Sequence, residues 1–235
     1  MLYFYNKFLE KKLKNHLSLY LTSSQIEFIL DFIKSNNYYI HPAFFKKGYR
    51  GVVLLLKDKK NNSFILKIKR KDTVKSLQKE YEILKFLENY NLAPKVYYFD
   101  LNNQFILMDY IKGITFFDYK NLLKKNLIKK DKFLKYLKNI IKACYILDKL
   151  NIFHGELIKG KHIYLYKDKV KFIDFESAKF TKTSKNLTQF IGGNILNDKQ
   201  LMDILNLKKD DILLFLKKYK KANNLNSFFN YKMLF

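Results

Sequence analysis

Residues 154–178, HGELIKGKHIYLYKDKVKFIDFESA, set two acids at the two ends of one hairpin. His154 and Glu156 precede a short apolar run, and Asp174 follows a second one that is reached through the polar link Lys167-Asp168-Lys169. Antiparallel pairing of the two runs brings the start and the end together, so Glu156 and Asp174 become neighbours although they stand far apart along the chain. Two such carboxylates suit phosphoryl transfer, which asks a protein for positioning rather than for covalent chemistry. One acid accepts or orients the proton of an attacking hydroxyl. The other holds magnesium, a hard cation that takes a few oxygen ligands and keeps several waters.

The elements that would carry these acids follow from a change of period along the chain. Residues 7–36 have helical spacing and read as two helices, the second opened by a capping box from Ser24 to Glu27. The runs AFFKKGYRGVVLLLKD and SFILKIKR then predict an antiparallel meander, with the turn cluster KDKKNN between them. A helix is predicted from Thr73 to Asn89, with Leu77, Tyr81, Leu84 and Leu87 on one stripe, and Pro94 closes that region. KVYYFD and FILMDYI read as two more strands joined at Asn102 and Asn103, residues that tolerate left-handed backbone. After a connector at 109–114 the pattern is helical, most clearly in KDKFLKYLKNIIKACYILDKL, with one interruption by the hairpin 163–173. The expected fold class is therefore α+β: a small antiparallel sheet with one helix, then a mostly helical half.

Composition limits the classes of function. At 235 residues, 48% hydrophobic and 17% aromatic, the chain has material for a large core. It has no apolar run of membrane-spanning length and no secretory leader pattern, which predicts a cytoplasmic protein without a membrane partner. The single cysteine, Cys144, lies among apolar neighbours and reads as a small buried hydrophobe. The net charge of +25 would attract polyanions. Yet every basic residue but Arg50 and Arg70 is lysine, whereas phosphate and base recognition favours the planar fork of arginine. Together with the excess of Asn, Ile, Phe and Tyr, this looks like the codon bias of an AT-rich genome, and most of the lysines read as a solvated surface.

FHGELIKGKHIYLY resembles the catalytic loop of the protein-kinase superfamily, H-R-D-L-x-x-x-N, and VKFIDFESA resembles the strand and D-F-G that follow it. Upstream, KKGYRGVV is similar to a reduced glycine-rich loop, FILKIKR to the V-A-I-K strand, KEYEILKFL to the helix with a paired glutamate, and FILMDYIKG to the hinge strand. The likeness covers about residues 45–180. It is nearest to the RIO-type small atypical kinases, and within them to the archaeal family of predicted serine/threonine protein kinases with H-G-E and D-F-E. It implies a two-lobed fold: a helical extension over 1–40, an N-lobe over 41–110, and a reduced C-lobe over 111–235 with its catalytic loop at 152–163.

The resemblance also implies roles. Lys67 would pair with the α- and β-phosphates of ATP, with Lys69 as the other lysine on the same strand face, and Glu80 would hold Lys67 as an ion pair. Gly48, Tyr49 and Gly51 would approach the phosphates, and Met108, Asp109, Tyr110 and Ile111 would lie against the adenine. Asp174 would bind Mg2+, with Mn2+ as a substitute, Glu156 would face the acceptor hydroxyl, and His154 would brace the loop. The motif's asparagine, ligand of a second metal, falls on Lys161 by strict spacing and on His162 if one residue is inserted. Glu156 stands for the usual Asp, Gly155 for the Arg that contacts a phosphorylated activation loop, and Glu176 for the Gly of D-F-G; no A-P-E follows. The expected function is ATP-dependent phosphotransfer to a serine or threonine hydroxyl of a partner protein, or ATP hydrolysis on the same frame. The alternatives are a nucleotide-binding pseudokinase that scaffolds an RNA or ribosomal assembly, docking through helices 7–36 and 208–222, and a small-molecule kinase.

Overall fold

Alternating side chains in three consecutive strands decide which way the first half of the chain faces. In the computed structural model, which describes residues 7–48 and 50–222, the strands β1 (Tyr39–Lys47), β2 (Gly51–Lys57), β3 (Ser63–Lys69), β4 (Val96–Asp100) and β5 (Phe105–Asp109) form one antiparallel sheet in the order β1-β2-β3-β5-β4. Val52, Leu54 and Leu56 of β2, Leu66 and Ile68 of β3, and Phe105 and Leu107 of β5 point to one face. That face is covered by the helices α1 (Lys7–Ser18) and α2 (Ser23–Ser35), which contribute Leu17, Ile26, Ile29, Leu30 and Ile33 to the same core, with Leu21 added from the turn between them. Each such aliphatic side chain adds about 1.5–3 kcal/mol when fully buried. The opposite face takes the alternate residues of each strand, where Val53, Lys67 and Ile106 stand in register.

Several local expectations shift by a few residues. The capping box of α2 is formed by Thr22 and Gln25, not by Ser24 and Glu27: the Thr22 hydroxyl accepts from Gln25 N at 3.2 Å, and Thr22 N donates to Gln25 Oε1 at 3.1 Å. The helix predicted from Thr73 begins later, as α3 (Gln78–Leu87) followed by a 3-10 turn at Glu88–Tyr90. The Thr73 hydroxyl donates back to Arg70 O at 2.9 Å, a local bond that competes with helix entry. In the β4–β5 turn the left-handed residue is Gln104, with φ 53°, rather than either asparagine. Asn103 N is held by Asp100 Oδ1 at 2.6 Å instead.

The chain divides into two compact units, one made of the residues up to Lys85 with Lys95–Tyr110, the other of Phe86–Pro94 with the residues from Ile111 onward. The second unit is mostly helical: α4 (Phe116–Lys124), α5 (Lys130–Lys149), α6 (Asn186–Ile191), α7 (Lys199–Leu205) and α8 (Lys209–Ala222), with a π turn over Gly192–Leu196. The long α5 buries Phe133, Leu137, Ile140, Ile141, Cys144 and Leu147 at helical spacing. Burial pushes the Cys144 thiol well above its ordinary range, so it is inert as a nucleophile at neutral pH. The hairpin of β8 (Ile163–Tyr166) and β9 (Lys169–Phe172) joins the short β6 (Ile114–Thr115) in a three-stranded sheet. A second small pair, β7 (Ile152–Phe153) with β10 (Lys179–Phe180), frames the loop before and after it. Both two-residue partners were too short to register as alternation in the sequence. No helix among the described residues is long and apolar enough to cross a membrane.

Candidate active site

Within the first unit, Lys67 is 6% exposed and reaches Glu80, 4% exposed, at 2.9 Å to Oε1 and 2.8 Å to Oε2. Lys69, on the same strand face, leaves this contact to Lys67. Taking both charges out of water is expensive, so the pair adds little net stability, but removing one partner is costly. Several side chains aim the helix that carries Glu80. Gln104 Oε1 accepts from Leu77 N at 2.9 Å and from the Ser76 hydroxyl at 2.8 Å, and Tyr81 stacks on Phe99 with ring centres 4.4 Å apart. Gly51 lies beside the Lys67 stem: a β-carbon there would meet Lys67 Cε at 3.4 Å.

The two glycines flank a tight turn in which Gly48 N donates to Gly51 O at 2.8 Å; Tyr49 lies outside the described residues. Sequence reasoning missed what holds this turn. Arg70 donates to Gly48 O at 3.2 Å, its backbone N donates to Arg50 O at 3.0 Å, and the Tyr20 ring lies 5.6 Å from the Arg70 guanidinium and 5.1 Å from Lys47 Nζ. The signal was present, because the only two arginines of a lysine-rich chain both fall here. In the hinge strand Met108 is buried, and Asp109 accepts from the Tyr97 hydroxyl at 2.7 Å, which with burial pushes the Tyr97 phenol up to about 12. Asp109 N donates to Lys95 O at 2.9 Å and Tyr110 N to Ser63 O at 3.4 Å, so these two amides are already engaged; Ile111 begins the second unit's run.

Within the second unit, hairpin register brings Glu156, His162 and Asp174 to one place. Ile163 pairs with Phe172, and Ile173 N donates to His162 O at 3.0 Å, which sets His162 beside Asp174. Asp174 sits in the left-handed region, φ 63° and ψ 68°, a conformation that a non-glycine residue holds only when its surroundings impose it. His162 Nε2 lies 3.3 Å from Glu156 Oε2, and His162 Nδ1 lies 3.8 Å from Asp174 Oδ2. Ligand atoms of Glu156, His162 and Asp174 all fall within 4.8 Å of one another. Lys161, the residue at the strict spacing, instead lies over the Phe117 ring at 5.3 Å.

The loop carrying Glu156 is staked by polar side chains from α5, α6 and the π turn. Asp148 of α5 is buried and accepts from Asn186 N at 2.7 Å, Asn186 Nδ2 at 2.8 Å, Leu187 N at 3.1 Å, the Ser184 hydroxyl at 2.7 Å and the Tyr219 hydroxyl at 2.8 Å. Asn186 Oδ1, so aimed, accepts from His154 N at 2.8 Å. Gln189 brackets the next residues, donating to Gly155 O at 2.9 Å and accepting from Leu157 N at 3.0 Å, and Asn194 donates to Leu157 O at 2.8 Å. His154 itself is fully buried; its Nε2 bonds Ile173 O at 3.0 Å, and burial lowers its pKa to about 4, so it is neutral at pH 7. The Ser177 hydroxyl donates to Glu156 Oε1. Gly155, at φ +92°, lets the loop pass Ser177, whose carbonyl oxygen would stand 3.2 Å from an added β-carbon.

A model of the protein kinase domain matches residues 47–195, which takes in both the Lys67–Glu80 pair and the three-residue cluster. The chain belongs to the protein kinase domain family. It is also similar to the uncharacterized protein MJ1211 of Methanocaldococcus jannaschii, 39% identical over 98 residues, which are 39% of this chain and 84% of that protein. Calcium-dependent protein kinase 4 of Plasmodium berghei is 28% identical over 158 residues, 62% of this chain and 30% of the relative, and its Plasmodium falciparum counterpart gives the same values. The chain thus spans less than a third of those two kinases.

A kinase domain implies binding of ATP with Mg2+. The residues present fit a divalent cation: two carboxylates and an imidazole converge, and His162 Nδ1 is a buried ring atom with no hydrogen-bond partner among the described residues. The donor set is not all oxygen, a departure from what magnesium prefers.

Proposed function

We propose that this kinase domain is a RIO-like atypical serine/threonine kinase, or an ATPase on the same frame. Lys67 pairs with the α- and β-phosphates and Glu80 keeps its ammonium in place. Asp174 and His162 hold the divalent cation, which when bound neutralises phosphate charge. Glu156 takes the proton of the acceptor hydroxyl as that oxygen bonds the γ-phosphorus and the bond to the β–γ bridging oxygen breaks, releasing ADP. With water as the acceptor the same step is hydrolysis. The observation that carries this reading is the buried Lys67–Glu80 pair, since a largely desolvated ammonium beside a buried carboxylate serves poorly as a stabiliser and well as a positioned charge.

Neutral His154 supports the same assignment by fixing the loop: with its Nε2–H donated to Ile173 O, its Nδ1 accepts from Glu156 N at 3.4 Å. One observation favours the scaffold reading instead. Ser177 already donates to Glu156 Oε1, and glutamate in place of aspartate moves the carboxylate by about a bond length, a shift that can cost ~100-fold in rate. Turnover of labelled ATP by the wild type and by Glu156→Gln separates the two. A kinase or ATPase loses at least ~100-fold in turnover with ATP affinity little changed. Equal turnover in both proteins would sink the catalytic role of Glu156, and no turnover in either would leave the scaffold.

A further inference from the structure

We propose that the Glu156–His162–Asp174 cluster selects a divalent transition cation of the Mn2+ class over Mg2+, with His162 Nδ1 and Asp174 Oδ2 as ligands and Glu156 orienting the imidazole. This rests on the kinase reading only in that the cation would accompany ATP.

The proton position follows from the partners. His162 Nε2 faces Glu156 Oε2 at 3.3 Å, and a carboxylate there favours the neutral tautomer with its proton on Nε2 and its lone pair on Nδ1. Nδ1 is buried without a hydrogen-bond partner among the described residues and lies 3.8 Å from Asp174 Oδ2. That gap is too long for a hydrogen bond. It is within reach of one ion that makes bonds of about 2.1 Å to each atom. The other oxygen of Glu156 is tied to the Ser177 hydroxyl, so the carboxylate that steers the ring is itself steered. A carboxylate, a histidine and a cation in that order form a recurrent arrangement in metal sites, in which the carboxylate sets the tautomer and raises the basicity of the ligand nitrogen.

Backbone geometry holds the arrangement in place. The bond from Ile173 N to His162 O holds the ring beside Asp174, and the left-handed backbone of Asp174 turns its carboxylate toward it. The His162 side chain is 25% exposed and that of Asp174 35%, which leaves the cation room for water and phosphate oxygens. Imidazole nitrogen suits first-row cations such as Fe2+ and Zn2+ best, and Mn2+, at the weak end of that series, takes one imidazole beside oxygen ligands, whereas Mg2+ demands near-octahedral oxygen and dehydrates reluctantly.

The full chain, free of nucleotide, is titrated with Mn2+ followed by electron paramagnetic resonance, and bound Mn2+ is competed with Mg2+. The wild type is expected to bind Mn2+ at least ~10-fold more tightly than Mg2+, and the spin echo of bound Mn2+ to carry modulation from an imidazole nitrogen. In His162→Asn and His162→Gln that modulation disappears and the preference falls toward unity. Absence of nitrogen modulation in the wild type, or an unchanged Mn2+ to Mg2+ ratio in both variants, overturns the inference; the wild-type spectrum decides it even if neither variant folds. Binding of a fluorescent ATP analogue in Mg2+ is measured alongside. Its absence would count against the kinase function, whereas missing modulation with intact nucleotide binding removes only His162 from the ligand set.

Discussion

The strand that carries Lys67 is paired with β2 over seven positions and with β5 over five, whereas the loop that carries Glu156 hangs between the two-residue β7 and the four-residue β8 and is held by side chains. Asn186, Gln189 and Asn194 grip its backbone, and Asp148 grips Asn186. The first site inherits its precision from a ladder that many residues share. The second depends on a few buried polar groups, each of which matters because a half-satisfied network in low dielectric is worse than an apolar one. The two sites should therefore fail differently.

The sharpest break lies at Lys67. Lys67→Met takes the cation from the buried Glu80 and is expected to destabilise the fold by roughly 3–5 kcal/mol and to abolish ATP turnover. Lys67→Met combined with Glu80→Met should regain most of the stability and none of the activity. Urea unfolding of the single and double variants checks this, and a single variant as stable as the wild type would mean that the pair is not desolvated.

The second unit is tested through pH. His154 titrates near 4 in the fold, against 6.5 for an ordinary histidine, because burial disfavours its charged form. Between those values the unfolded chain binds the extra proton, so the stabilisation is complete above pH 6.5 and is lost as pH falls through 4. The loss amounts to roughly 3 kcal/mol. Denaturation at pH 7 and pH 4.5 without divalent cations should show it in the wild type but not in His154→Asn. Equal slopes in the two proteins would mean that His154 is hydrated rather than buried.

The smallest effect is at Gly155. Gly155→Ala forces a left-handed alanine against Ser177 and should cost about 1–2 kcal/mol, while lowering ATP turnover through displaced Glu156. If thermal melting shows no cost, the close pass of the loop by Ser177 is relaxed in solution.

This contrast also explains how much of the molecule was legible beforehand. Lys67, Glu80 and the sheet were readable because strand alternation and helical spacing are written in neighbouring residues. The hairpin that unites Glu156 with Asp174 was readable for the same reason, and His162 came from counting one residue past the strict spacing. The hub around Asp148 was not, because Ser184, Asn186 and Tyr219 are ordinary polar residues until folding buries them around one carboxylate. The start of α3 and the capping of α2 were misplaced because Thr73 and Gln25 spend their side chains on local or distant backbone that no periodicity records.

The turn between α1 and α2 does more than cover the sheet. Lys71 donates to Ser18 O and Tyr20 O, Gln25 to Lys69 O, and the intervening Arg70 holds Gly48. These bonds tie both helices to the glycine turn through three consecutive residues, Lys69, Arg70 and Lys71. The stiffness of the glycine turn is thereby set in part by residues that lie outside the sheet altogether.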